Sequence, residues 1–399
     1  MRTSVAGTTL LFVLSLLGLP AVSVGQELSG YVSAEGRLFF HDPLYPGQER
    51  ENGSLAFQPE YYHEWEEGSS FLFVPFGRID SADSERTHFD IRELNYLWPT
   101  EDWELRVGIG KVFWGATEFV HLVDIINQTD LVENIDEEDK LGQPMVHFST
   151  WRDWGVWDIF FLPYFRERTF PGREGRLRHA LVVDTDHPIY ENDAEEYHLD
   201  VAARYSHTIG GLDFGIYNFM GTGREPTLLL GADSKGRPAL IPYYKQINQT
   251  GLDLQYVAGQ WLWKLESLYR TGQGDGFFAS TGGFEYTFVG LAESHIDLGV
   301  IGEYAYDERG DDATTVFEDD AMFGFRLAMN DPQSTELLAG VIQDMDSSAR
   351  AVKIEASRRI GSNWKLFLQA WGFFDPPRDE LLYNIRDDDF LRIELAYYF

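Results

Sequence analysis

The sequence contains no cysteine, so neither a disulfide nor thiolate chemistry is available to it. Beyond its first 25 residues no apolar run approaches the 18 or so positions that a membrane helix requires. The greasiest stretches, 71–76 and 159–165, are interrupted by Pro75 and Pro163. Basic residues are scarce too: 32 Lys and Arg stand against 65 Asp and Glu, for a net charge of −33. Such a surface repels a polyanion, which excludes nucleic acid as a partner. No Gly-x-Ser-x-Gly elbow and no His-Glu-x-x-His helix occurs, and "GIGKVFWG" lacks the Gly-Lys-Ser/Thr ending of a phosphate loop. No Pro/Ser-rich linker divides the chain.

The opening residues have the three parts of an export signal. Arg2 supplies the positive region, Leu10 to Leu19 the apolar stretch, and Ala21, Ser23 and Gly25 the small residues of a cleavage region. A signal peptide over 1–25 is expected, leaving 26–399 as one exported unit.

What is abundant is unusual for a secreted globule: 15% aromatic residues, with 11 Trp, 20 Tyr, 29 Phe and 38 Gly. The aromatic content argues against disorder. Apolar and polar residues alternate with period 2, the mark of a strand with two different faces. In "WELRVGIGKVF", Trp103, Leu105, Val107 and Ile109 alternate with Glu104, Arg106, Gly108 and Gly110. "YHLDVAARY", "NWKLFLQAW" and "FLRIELAYYF" repeat the pattern, with charges at strand centres.

A soluble sandwich also alternates, but its apolar face needs a second sheet to cover it. A barrel in lipid has its oil outside, polar groups inside and aromatic girdles at both interfaces. Aromatics cluster at strand ends here (Tyr61, Tyr62, Trp65; Trp98, Trp103; Trp151, Trp154, Trp157; Trp261, Trp263), and the inward positions are small or charged. Short turn-like links at 66–69, 99–102, 151–154, 209–211, 258–260, 290–294, 331–334 and 360–363 alternate with longer polar ones. The expected fold is therefore all-β: a transmembrane antiparallel up-and-down barrel of about eighteen strands, sixteen being the neighbouring even count. Its last strand pairs with its first, since lipid does not tolerate an open edge.

The ending "LRIELAYYF" resembles the final strand of bacterial outer-membrane porins. In that family the terminal Phe is read by the barrel-assembly machinery, which implies Tyr397 and Phe399 as the assembly signal. A second stretch, "RELNYLWPTEDWELRVGIGKVFWGATEFVHLVDIINQTD", resembles a porin-like barrel family marked by Arg-Glu, Arg-x-Gly, Trp-Gly and an Asp-x-x-Asn-x-x-Asp loop. The matching positions are Arg92, Glu93, Arg106, Gly108, Trp114, Gly115, Asp124, Asn127 and Asp130, and the chain departs from the pattern at Gly110-Lys111. The resemblance implies outer-membrane lipid and lipopolysaccharide as surroundings, small polar or cationic solutes as cargo, and a monomer or homotrimer.

The longest stretch without alternation, 114–143, falls at the third outer loop, which in porins folds into the barrel and narrows the pore. It carries Asp124, Asp130, Glu133, Asp136, Glu137, Glu138 and Asp139 against Lys140. Carboxylates in a narrow channel concentrate cations. The alternative is a solvated acidic loop outside; Phe119, Val120, Leu122, Val123, Ile125 and Ile126 favour the folded-in reading. On the lumen wall, Arg106, Arg204, Lys264, Arg326, Lys353 and Arg392 interleave with Glu104 and Asp200, either as a transverse field or as cross-strand ion pairs. The fourth outer loop has an Arg-rich half, 166–179, and an acidic half, 184–196, which are expected to pair with each other or to capture an anion.

Acid clusters at 307–312, 318–320 and 386–390 lack EF-hand spacing and read as a solvated rim, so no metal or cofactor is expected. The dipeptides His41-Asp42 and Asp186-His187 are the only hint of a rim hydrolase. The expected function is a porin for passive diffusion of small hydrophilic solutes with a cation preference and no enzymatic activity. The other reading is a substrate-specific transporter or surface receptor whose loops plug the lumen, with an apolar substrate allowed.

Overall fold

The computed structural model describes residues 25–399, without the side chain of Asp311; the expected export signal lies outside the described residues apart from Gly25. In chain order the strands are β1 (Gln26–Phe39), β2 (Glu51–Glu64), β3 (Ser70–Asp80), β4 (His88–Pro99), β5 (Trp103–Gly110), β6 (Gln143–Arg152), β7 (Gly155–Leu162), β8 (Ile189–Tyr190), β9 (Asp200–Ile209), β10 (Leu212–Thr222), β11 (Thr227–Ala232) and β12 (Pro238–Tyr244). They continue as β13 (Gln246–Ala258), β14 (Trp261–Thr271), β15 (Phe277–Phe288), β16 (Asp297–Asp307), β17 (Asp319–Ala328), β18 (Glu336–Asp344), β19 (Arg350–Ile360), β20 (Trp364–Phe374) and β21 (Phe390–Tyr398). Strands β8, β11 and β12 form a small sheet in the loops; the other 18 make one antiparallel sheet. That sheet closes where β1 pairs with β21, from Tyr31 opposite Tyr398 to Phe39 opposite Phe390. Closure removes both edges, as a sheet in hydrocarbon requires.

All eight short links expected from the sequence lie at the barrel end that also holds Gln26 and Tyr398. Gly210 and Gly259 turn there with φ of 64° and 66°, a left-handed backbone that glycine adopts without steric cost. The opposite end carries nine connections: L1 (40–50), L2 (81–87), L3 (111–142), L4 (163–199), L5 (223–245), L6 (272–276), L7 (308–318), L8 (345–349) and L9 (375–389).

The alternation resolves into an oily exterior. On β14, Trp261, Trp263, Leu265 and Tyr269 are exposed on the outer face, whereas Lys264, Glu266, Leu268 and Arg270 are buried inside. Phe89 is 72% exposed and Ile79 66%, so the outer wall is apolar where a soluble protein would be wet. At the short-turn end Trp261 stacks on Trp263 and Trp364 packs on Tyr397, an aromatic girdle.

The inner wall is less uniformly polar than the sequence suggests. Near the loop end, Phe39, Met322, Ile342, Trp371, Phe373 and Phe390 form an apolar patch covered by Phe119, Val120 and Ile135 of L3 and by Leu382 and Ile385 of L9. These inward apolar residues are tolerated because the loops, not water, cover them.

Candidate functional site: a lumen crossed by the third loop

L3 begins at 111 and ends at 142, a few residues from the expected 114–143; Gln143 already opens β6. Its two ends are clipped together by Asn127. The Asn127 amide donates to the carbonyls of Gly110 (2.9 Å) and Leu141 (2.8 Å) and accepts from the Val112 N–H (2.9 Å). Trp114 then turns inward against Phe160 and Tyr217, beneath the Arg204 guanidinium. Val123, Ile125 and Ile126 join the same buried cluster. Burying side chains of this size stabilises by about 1.5–3 kcal/mol each, which favours the inward fold over an exposed loop.

The loop next reaches the far wall. Glu266 of β14, fully buried, accepts from the N–H groups of Ala116 (2.7 Å), Thr117 (3.0 Å) and Val123 (3.2 Å) and from the Thr117 hydroxyl (2.6 Å). Glu303 of β16 accepts from the N–H groups of Glu118 (2.9 Å) and Phe119 (3.1 Å). Glu118 itself meets Arg326 at 2.5 Å and Lys264 at 3.4 Å. Phe119 presses on β18 so closely that a Cβ at Gly340 would lie 2.7 Å from its ring.

On its return leg L3 follows another part of the wall. Asp130 pairs with Arg92 (2.7 Å), which stands on a β-bulge opposite Pro75, where the missing N–H breaks the ladder. Glu133 meets Arg78 (2.8 Å) and His88 (2.7 Å), and Arg37 donates to the Glu133 carbonyl (2.5 Å). Asp136 and Glu138 lie 3.7 and 3.0 Å from Lys353. Asp124 pairs with Lys140 inside the loop (3.3 Å), and Glu137 lies 3.8 Å from Arg168 of L4. Six of the seven predicted acids therefore have a cationic partner.

Asp139 is the remaining one. Burial, with Glu133 and Asp136 nearby, pushes its carboxyl up to about 6. Burial also works against the charge of Glu133, but His88 and the Arg78 and Arg86 guanidiniums hold that carboxyl well below its ordinary range. The two acids thus act with opposite sign. Glu133 stabilises the docked loop at every pH above its depressed pKa. Asp139 holds its proton in the docked loop up to about pH 6 but releases it near 3.8 when undocked, so docking weakens as the pH rises from about 4 to about 6 and is level beyond. Amide exchange in L3 is expected to be up to about tenfold slower at pH 5 than at pH 7, after correction for intrinsic rates. In Asp139→Asn that ratio should fall to about one; a ratio unchanged by the substitution would remove Asp139 as its cause.

The predicted wall residues divide into two groups. Lys264, Arg326 and Lys353 hold L3, while Arg204 pairs with Asp253 (2.7 Å) and Arg392 with Glu394 (2.6 Å) and Glu35 (2.9 Å). Asp200 is bound by Arg224 of L5 (2.9 Å). Glu104 lies on β5 beside the short turn, and Arg106 of the same strand extends toward Gly110 at the loop end. Sequence reasoning missed Glu303, Arg37, Arg78 and Arg86. The signal for the first three was present, since each is a charge at an inward position of an alternating strand.

The Arg-rich half of L4 does not pair with its acidic half. Arg166 meets Asp90 of β4 (2.8 Å), Arg168 lies near Glu137, and Arg176 is buried against Asp388 of L9 (2.6 Å). L4 thereby fastens to the wall, to L3 and to L9. Between these loops and the upper wall lies a cavity of about 520 Å³. Phe119, Leu122, Phe277 and Trp371 give it apolar surface, and Arg270 and Arg309 give it charge. His187 bonds Asp184 (3.1 Å) rather than its neighbour Asp186.

A closed 18-strand barrel with an oily exterior and a third loop laid across its lumen has the fold of bacterial outer-membrane porins. Among solved structures, the chain is similar to a BenF-like porin from Pseudomonas fluorescens Pf-5 (TM-score 0.55, 9% identity, covering 94% of this chain and 97% of that one). It is also similar to OccD3 (OpdP) of Pseudomonas aeruginosa (TM-score 0.54, 9% identity, 96% and 93%). A third similar structure is Wzi of Escherichia coli, described as a carbohydrate-binding β-barrel involved in group 1 capsule assembly (TM-score 0.52, 10% identity, 92% and 83%). At these identities the likeness is one of fold. No protein-family model and no curated protein sequence matches the chain. The motif shared with the porin-like family thus has no support from that comparison, yet Arg92, Trp114, Asn127 and Asp130 all fasten L3.

Proposed function

We propose that the protein is an outer-membrane channel of the porin type, in which L3 sets the passage and admits small polar solutes. The observation that carries this reading is the attachment of L3 to opposite sides of the wall, through Glu266 and Glu303 on one side and Arg78 and Arg92 on the other. Support for a cation preference comes from the overall charge of −33 rather than from L3, whose acids are mostly paired. In planar bilayers the protein should give stable ohmic steps with a cation-selective reversal potential. Neutralising Asp136 to Asp139 should shift that potential only slightly. A silent barrel would sink the channel reading.

One observation favours a second reading: the cavity above L3 is largely apolar and lies under L4, L5, L7 and L9. A transporter or receptor for one partly apolar substrate would use it. Such a protein would conduct poorly, and its substrate would block the residual current at low concentration.

Tyr397 and Phe399 serve, on this reading, as the assembly signal. Deleting Phe399 should lower the folded fraction in cells while leaving refolding of purified protein in detergent unchanged; equal losses in both would assign the residue to barrel stability instead.

A further inference from the structure

L7 returns to the barrel through Glu318, and β17 begins with Asp319 and Asp320. Asp320 points inward and stands directly across from Asp344, the last residue of β18. Both border the cavity above L3, as does Glu380 of L9. Ligand oxygens of Glu318, Asp344 and Glu380 lie within 4.8 Å of one another. Like charges opposed directly across antiparallel strands are destabilising. Elsewhere in this interior the cost is met by bases, as where Glu35 sits among Arg37, Arg78 and Arg86. Here, among the described residues, no Lys or Arg pairs with Asp320, whose charged neighbours are Glu318, Asp319 and Asp344.

Asp320 is only 3% exposed, and its Oδ2 has no hydrogen-bond partner. A carboxylate oxygen buried without a donor is costly, and Asp320 lines the same cavity as Asp344 and Glu380. Asp344 is meanwhile held in place, its oxygens accepting from the N–H groups of Asp346 (2.8 Å) and Ser347 (2.9 Å) and from the Ser347 hydroxyl (2.5 Å).

Hard oxygen donors in this arrangement select a hard cation. Calcium takes its oxygens at about 2.3–2.6 Å, so ligands on opposite sides of one ion stand roughly 4.6–5.2 Å apart. Oxygens of Glu318, Asp344 and Glu380 that all lie within 4.8 Å of one another are near enough to share one such ion. Magnesium, at about 2.0–2.1 Å, demands a tighter shell and keeps its waters.

We propose that Glu318, Asp320, Asp344 and Glu380 form a calcium site that fastens L7 and L9 to the loop-end rim of β17 and β18. Its ligands come from separated segments of the chain, so the ion acts as a strap over the cavity. The site does not depend on which solute the channel carries.

The test uses the full mature protein, refolded in detergent free of lipopolysaccharide, with calcium chloride, magnesium chloride or a chelator. Proteolysis within L7 and L9 should slow by roughly tenfold or more in saturating calcium and respond much less to magnesium. Asp320→Asn keeps the side chain's shape, and it should abolish that protection. In chelator the same variant should be cut more slowly than the wild type, because one repelling charge is gone. Wild-type loops indifferent to calcium, or protection retained in Asp320→Asn, would overturn the site. The wild-type comparison stands even if the variant fails to fold.

Discussion

Glu266→Gln is expected to raise single-channel conductance severalfold. Glu266 gathers three backbone N–H groups and one hydroxyl of L3 on its carboxylate. Hydrogen bonds to a charged acceptor are worth about 1.5–3 kcal/mol each, and leaving a buried N–H without an acceptor costs about 1–3 kcal/mol. The glutamine amide keeps one acceptor oxygen for the Ala116 and Thr117 donors, loses the charge that strengthens all four bonds, and turns the other oxygen into a donor facing the Val123 N–H. The grip of β14 on L3 should therefore loosen. Glu303→Gln alone has fewer bonds to break, and the double substitution should exceed either single one, because both carboxylates hold adjacent residues of the loop. The readout is a bilayer recording of the three variants against the wild type, with faster proteolysis in 114–126 as a companion. Conductance unchanged in the double variant would mean that L3 does not set the passage.

The second large effect falls on stability. Arg78→Met leaves Glu133 and Glu35 buried with one guanidinium fewer between them; the pairs stand at 2.8 and 3.4 Å. With side-chain exposures of 4–5% at Arg78 and Glu133, solvent does little to screen the loss. Removing one partner of such a pair costs about 3–5 kcal/mol, chiefly because a buried charge is left uncompensated. The midpoint of urea unfolding from detergent should fall accordingly. Glu133→Gln added to Arg78→Met should recover part of the loss, since the stranded charge is then gone. Losses that simply add would show that the two side chains are not coupled.

The barrel was legible because a membrane wall imposes one rule on every strand. Trp261, Trp263 and Leu265 outside and Lys264 and Glu266 inside follow directly from period 2. The same rule located the eight short turns and, by its lapse from Trp114, the third loop, which begins three residues earlier in the structure. Period 2 reports which face a residue takes but not what stands opposite it in the lumen. That is why the acids of L3 read as a free negative ring: their partners Arg78, Arg92 and Lys353 come from distant strands. The same blindness led the Arg half of L4 to be matched with its own acidic half, when Arg176 belongs to Asp388, 212 residues away. The bulge at Arg92 was hidden as well, because the strand alternates smoothly on either side of it.

L3 lies inside the barrel against the wall, and the absence of cysteine allows a direct check of that placement. Glu118→Cys on L3 and Arg326→Cys on β17 can be introduced together and treated with a short bis-maleimide, since the parent side chains meet at 2.5 Å. The folded barrel should cross-link in high yield, while Glu118→Cys paired with a cysteine at Ser84 in L2 should not. No link from 118 to 326, or an equal link from 118 to 84, would contradict the placement of the loop and the function built on it.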